Sequence, residues 1–286
     1  MNIKRIDEEI EDLNGIKILV QTYEEIAATR MQKIKTSVLN TRNFLDSLLE
    51  IYQHVKASHD RHLKRLEKKK AKEKLGEEKS VAVLLTANTG LYGGIIQETY
   101  NVFFENIKDQ DTDIDIAVVG DVGRKLVERD KDELGISDYK YFELSDATSD
   151  PSDFANLISF IIQYDSVDVY HGKFESLLSQ IPIKENVTGE MRNSEKKIVE
   201  EAQYIFEPSI EAIEGYFESE IMASIFEQSI HESSLSKYAS RMINLDRAVV
   251  NIKDRIEKTS FRRQRVKHRN MNKRQLDLLS SMSLWG

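Results

Sequence analysis

The chain has 286 residues, of which 40% are hydrophobic and 31% charged, with 3 Pro and no Cys. That length allows one large domain or two modest ones with a packed core, and the lack of Cys removes disulfides, thiolate metal sites and cysteine nucleophiles. Lys+Arg 41 against Asp+Glu 49 leaves a net charge of -8, the wrong overall sign for a protein that coats nucleic acid.

Scarce proline favours long uninterrupted helices over an all-β architecture. There is no apolar run of about eighteen residues, and the N-terminus (MNIKRIDEEIEDL) is acidic where a signal or transit peptide would be apolar or Arg-rich. A soluble chain that works where it is made is the expectation.

The first sixty-odd residues have a single Gly and no Pro, with Ile3, Ile6, Ile10, Leu13, Val20, Ala27 and Ile34 at alternating three- and four-residue steps. This predicts a long amphipathic helix with a coiled-coil-like seam, interrupted at Lys17 and Glu24. Residues 61–79 (RHLKRLEKKKAKEKLGEEK) are dense in Lys and Arg and read as a solvated helix end and linker.

From Ser80 the texture changes. VAVLLT, IDIAVVG (114–120) and VDVYHGK (167–173) read as buried strands, separated by helical stretches such as the one carrying Phe154, Leu157, Ile158 and Ile161. Alternating strands and helices imply a small α/β sheet. Pro151 after Asp150 marks a helix start, and KFESLLSQIPI suggests a return strand. From Pro208 to Trp285 only Gly215 interrupts a second helical run. Leu235, Tyr238, Met242, Leu245, Val249, Ile252 and Ile256 keep a strict four-three rhythm that demands a partner helix. At about 1.5 Å per residue this run predicts a helix on the order of 100 Å long.

The simplest cover for two seams at opposite ends of the sequence is one antiparallel coiled coil with the α/β domain inserted. Beyond it, KTSFRRQRVKHRNMNKR (258–274) holds eight Lys/Arg and no acid, and calls for water or an acidic partner. The expected division is an N-terminal coiled-coil helix at 1–65, a basic linker at 66–79, an α/β domain at 80–207 and a C-terminal coiled-coil helix at 208–286.

Chemistry-bearing motifs are sparse. TANTGLYGG (86–94) and GDVGRK (120–125) both link a strand to a helix, where backbone N–H groups can cradle phosphate. Neither has dinucleotide or P-loop spacing, so both read as packing turns. His54, His59 and His62 offer only one helical i, i+3 pair and no third ligand. His171, His231 and His268 are isolated, with no triad around them. No catalytic residue, metal site or cofactor is expected.

Three stretches in order resemble the gamma subunit of F-type ATP synthases, the central rotor shaft. YEEIAATRMQKI (23–34) is similar to the family's N-terminal helix motif, with Tyr23 where Met is usual. GLYGG (90–94) is similar to its Gly-Leu-Cys-Gly-Gly turn, with Tyr92 in place of Cys. YASRMINLDRAVVNI (238–252) resembles its Ala-Ala-Arg-Met-Val-Ala-Met stretch and is the most specific. Weaker similarity in IAVVGDVG, KFESLLSQIP and YIFEPSIEAI extends the resemblance to nearly the whole chain.

The resemblance implies an antiparallel coiled coil of the terminal helices with an inserted Rossmann-like α/β domain. It implies a shaft that couples rotation to ATP synthesis or hydrolysis in an alpha/beta catalytic ring, itself without catalytic residues. Implied partners are alpha- and beta-type catalytic subunits, an epsilon-type subunit and a membrane c-ring, with no nucleic acid and no membrane insertion. The implied location is cytoplasmic, peripheral to the inner face of the cell membrane and linked to ion transport. Ring contacts carried over by position are Tyr23, Arg241, Arg265, Lys267, His268, Arg269 and Asn272. Lys267 and His268 stand where the family has Arg-Gln, Asn272 where it has Thr, and Lys lacks the bidentate fork of Arg. The competing expectations are a gamma-like shaft or adaptor that drives a machine other than an ion-translocating ring, and an independent nucleic-acid-binding or enzymatic role.

Overall fold

The computed structural model describes residues 3–66, 79–108, 114–136, 138–145, 151–189, 207 and 209–282. In chain order these include α1 (Ile3–Leu66), β1 (Ser80–Leu85), α2 (Ile95–Lys108), β2 (Asp115–Val119), α3 (Asp121–Leu134), β3 (Lys140–Phe142), α4 (Pro151–Ile161), β4 (Ser166–Phe174), β5 (Gln180–Asn186) and α5 (Ile210–Met282). The basic linker between Leu66 and Lys79 lies outside the described residues. So do Asp150 and most of YIFEP.

The chain divides into two compact units, Met1–Thr29 with Arg241–Gly286, and Arg30–Ser240. In the first unit the beginning of α1 packs on the C-terminal part of α5. Ile6, Leu13 and Ala27 are buried on one helix, and Leu245, Val249 and Thr259 on the other. Each fully buried aliphatic side chain contributes roughly 1.5–3 kcal/mol relative to exposure. Lys17 and Glu24 are half-buried, as the seam positions they occupy require. Arg263 Nε reaches Asp7 Oδ1 at 2.5 Å, and Arg262 pairs with Glu9.

The second unit holds the sheet, in the order β3-β2-β1-β4-β5. The first four strands run parallel, while β5 returns antiparallel to β4. Strand alternation sends successive side chains to opposite faces. Val81, Val83 and Leu85 of β1 therefore join one core with Leu45, Leu48 and Tyr52 of α1, Leu157 and Ile161 of α4, and Ile221, Ile225 and Phe226 of α5. Ala82 and Leu84 join the other, with Tyr100 and Phe103 of α2, Val127 and Leu134 of α3, and Tyr170 of β4. Within this unit α1 and α5 are again antiparallel: Arg30 bonds Tyr238, Arg42 pairs with Glu232, and Tyr52 bonds Glu218.

The three expected strands are β1, β2 and β4. The return strand is Gln180–Asn186, which overlaps only the end, QIPI, of the stretch that suggested it. Strand β3 was not anticipated; three half-exposed residues at a sheet edge leave no periodicity to detect.

Candidate functional site

Both glycine turns are occupied by the chain itself. At the start of α3, three backbone N–H groups that could have faced a phosphate donate internally. Asp121 donates to Asn88 Oδ1 at 3.0 Å, Val122 to the Ala87 carbonyl at 2.9 Å, and Gly123 to Thr86 Oγ1 at 3.0 Å. The glycines make this close approach possible: at Gly120, with φ 96°, a Cβ would lie 2.8 Å from Thr86 Oγ1, and at Gly123 2.5 Å from it. The cations of GDVGRK are engaged as well. Lys125 Nζ and Arg124 Nη2 lie 2.6 and 2.5 Å from the Asp121 carboxylate. Their hydrogen bonds, that of Lys125 first, hold the Asp121 carboxyl below the usual carboxylate range. A carboxylate at a helix N-terminus already complements the helix dipole.

At the start of α2, a Cβ on Gly94 would lie 2.9 Å from Glu98 Oε1, so a second carboxylate stands over that helix's first turn. Leu91 takes φ 68° and Gly93 φ 65°. A left-handed conformation is costly for Leu. It turns Tyr92 inward, where the ring is 2% exposed, while Leu91 stays 66% exposed.

Tyr92 faces a junction that the sequence pattern did not reveal. Its ring meets that of Tyr238 edge-on at 5.8 Å. Arg30 donates to Tyr238 Oη at 3.0 Å, and Lys237 Nζ to the Thr86 carbonyl at 2.8 Å. Beside them His171 and Ser229 both reach Glu185 Oε2, at 2.9 and 2.6 Å. The approach of α5 is close because its inner face is small: Ser224, Ser229, Ser233, Ser236, Ala239 and Ser240 are buried. That Ser-rich face was visible in the sequence (SIHESSLSKYAS) as the only available signal.

The proposed ring contacts fall in the first unit. Tyr23 is 53% exposed on α1, Arg241 is half-buried, and Arg265, Lys267, His268, Arg269 and Asn272 are exposed on α5. From Lys267 to Ser281 every described residue is exposed, and with the cations come Met271, Leu276, Leu278 and Leu279. Among the described residues no carboxylate lies within ion-pair distance of Arg265, Lys267 or Arg269, although the Arg265 guanidinium lies 5.9 Å from the Phe261 ring centroid. Two neighbouring cations are committed internally. Because Arg262 and Arg263 pair with Glu9 and Asp7, the unpaired basic segment begins further along than Lys258, where the charge run alone put it.

No three His, Asp or Glu side chains among the described residues are placed to hold a metal. His54 is half-buried on α1, and the side chains of His59 and His62 lie outside the described residues. Among the described residues no helix is long and apolar enough to cross a membrane.

The features above define a class: a protein of two long helices that pack antiparallel and carry a mixed α/β sheet between them in sequence. A family model described as ATP synthase matches residues 2–281, and the chain belongs to that family. Its relatives there are gamma chains. The ATP synthase gamma chain of Hyphomonas neptunium is 20% identical over 294 residues, covering 98% of each chain. That of Cytophaga hutchinsonii is 22% identical over 292 residues, covering 92% of each. Among solved structures, the rotor of Euglena gracilis mitochondrial ATP synthase matches with a TM-score of 0.59 at 13% identity, covering 94% of this chain and 98% of that one. The central stalk and c-ring structure of the Tetrahymena thermophila mitochondrial enzyme matches at 0.54 and 20% identity, covering 80% and 99%. These two likenesses show a shared fold.

Proposed function

We propose that this chain is the central shaft of a rotary F-type ATP synthase or ATPase, coupling rotation to ATP synthesis or hydrolysis in a ring of alpha- and beta-type subunits. The observation that carries the reading is the C-terminal part of α5. From Lys267 to Ser281 its described cations and leucines are all exposed, and this end fits a surrounding surface that supplies carboxylates and apolar contacts. Tyr23, Arg241, Arg265, Lys267, His268, Arg269 and Asn272 are the proposed ring contacts. An epsilon-type subunit and a membrane c-ring are the proposed partners elsewhere on the chain, and the proposed location is cytoplasmic, peripheral to the inner face of the cell membrane as part of a complex.

The shaft itself is proposed to be non-catalytic. Support comes from the α3 turn, whose donors and cations are spent on Thr86, Ala87, Asn88 and Asp121, and from the α2 turn, where the Glu98 carboxylate stands beside Gly94. The strand order β3-β2-β1-β4, all parallel, supports a Rossmann-like reading of the α/β region. The division into 1–65, 66–79, 80–207 and 208–286 follows the same reading.

Affinity purification of the tagged full chain from its host tests the proposal. Alpha- and beta-type subunits should come down with it in equal amounts and in excess over it; their absence would sink the shaft reading. Calorimetry of the full chain with Mg-ATP should give no stoichiometric heat in the micromolar range. A stoichiometric micromolar binding heat would overturn the reading of both glycine turns as packing turns.

A further inference from the structure

Three segments distant in sequence meet at one point of the larger unit. Tyr92 belongs to the turn between β1 and α2, Lys237 and Tyr238 are successive residues of α5, and Arg30 belongs to α1. Lys237 is 8% exposed, and its ammonium donates to the Thr86 carbonyl at 2.8 Å and lies 5.9 Å from the Tyr92 ring centroid. Tyr92 in turn sits edge-on to Tyr238, to which Arg30 both donates a hydrogen bond and presents its guanidinium, 5.8 Å from the ring centroid. Nearby, a Cβ on Gly172 of β4 would lie 2.7 Å from both Ser236 and Ile95. A side chain inserted there would have to displace the Ser236 and Ile95 side chains.

Two features set this junction apart from ordinary packing. An apolar residue at 237 would fill the space without desolvating a charge. What Lys237 adds is direction, because a charge-assisted hydrogen bond to a fixed carbonyl defines one rotational setting of α5 against the end of β1, whereas apolar contacts let helices slide. The turn on the other side holds Leu91 at φ 68° with its side chain exposed. A strained residue that gains nothing from its own burial persists where its neighbours over-determine the backbone, and the neighbour is the seated Tyr92.

We propose that Lys237, Tyr92, Tyr238 and Arg30 form a torsional joint: positioning residues that lock the rotational setting of both long helices against the α/β sheet, so that torque crosses between them without slip. This rests on the shaft reading above. The joint acts through the helices it holds.

The experiment uses the assembled complex with its catalytic subunits immobilised. The chain has no native Cys, so Glu133→Cys on the exposed side of α3 gives a single attachment point for a probe on the α/β region. The readouts are ATP-driven rotation and, in the paused complex, the angular variance of the probe. Lys237 and the Tyr92 ring both hold the turn, so losing either should raise the variance above that of the parent. Lys237→Met and Tyr92→Ala should both do so and should slow rotation under viscous load, while Tyr92→Phe, which keeps the ring, should match the parent. If Lys237→Met fails to assemble, Lys237→Gln replaces it. Its neutral donor should give an intermediate variance, and parental variance would overturn the joint. Unchanged variance in assembled Lys237→Met and Tyr92→Ala overturns it equally. A parent complex whose probe does not rotate with ATP overturns the shaft reading instead, so the two failures are told apart.

Discussion

Leu91 and Tyr92 show how one residue is spent to place the next. Leu in the left-handed region costs roughly 1–2 kcal/mol, and glycine there would relieve that strain while adding about 0.5–1 kcal/mol of unfolded-state entropy. Leu91→Gly should therefore leave the stability of the full chain within about 0.5 kcal/mol of the parent, measured by urea denaturation. A loss of more than about 1 kcal/mol would mean that Leu91 is unstrained or packed. Tyr92→Ala deletes a buried ring and should cost about 3 kcal/mol or more. The sequence shows Tyr92 only as a substitution within a glycine turn, since a ring's burial depends on Tyr238 and Lys237, more than 140 residues away.

At the scale of elements, the heptads of α1 and α5 specify partner helices but not register. Register within the first unit is set by Asp7 opposite Arg263 and Glu9 opposite Arg262, exposed pairs worth only about 0–1 kcal/mol each, acting on top of the buried seam. Continuing that register brings Leu13 opposite Ile256. In the Cys-free chain, Leu13→Cys with Ile256→Cys should oxidise readily to a disulfide. Leu13→Cys with Val249→Cys, displaced by about 10 Å along the helix, should not. Gel mobility under non-reducing conditions reads the result, and efficient cross-linking of the second pair alone would shift the register by two turns. The heptads were legible because burial of a helix seam repeats locally. Strand β3 was not, because its place depends on pairing with β2 through Ala117, Val118 and Val119.

At the scale of the whole molecule, the consequence of a shaft is that its tip is read by something else. Arg265, Lys267 and Arg269 are each exposed, so no single one should be essential. Reversing all three, Arg265→Glu, Lys267→Glu and Arg269→Glu, should slow or uncouple ATP turnover in the assembled complex. The melting of the free full chain should stay unchanged, because no carboxylate among the described residues depends on them. The effect should be largest at low salt, where screening is weakest. Unchanged turnover at low salt would remove these positions from the ring contact. Arg262 and Arg263 make the contrast: reversing those two should destabilise the helix pair itself, because Glu9 and Asp7 would then face like charge.

What the sequence by itself determined was whatever repeats over short distances: two long helices with heptad seams, β1, β2 and β4 as apolar runs, and the run of cations without acids that ends α5. The match of YEEIAATRMQKI, GLYGG and YASRMINLDRAVVNI to one family in one order was equally a property of the chain alone. Tertiary structure decided the rest. It determined which cations of the basic run are spent on Asp7 and Glu9, and filled both glycine turns with Thr86, Asn88, Asp121 and Glu98. It also joined Arg30, Tyr92, Lys237 and Tyr238 in one place. Periodicity records which face of an element is buried, because burial follows the geometry of that element. It carries no record of which distant side chain meets that face, because this depends on how separate elements pack.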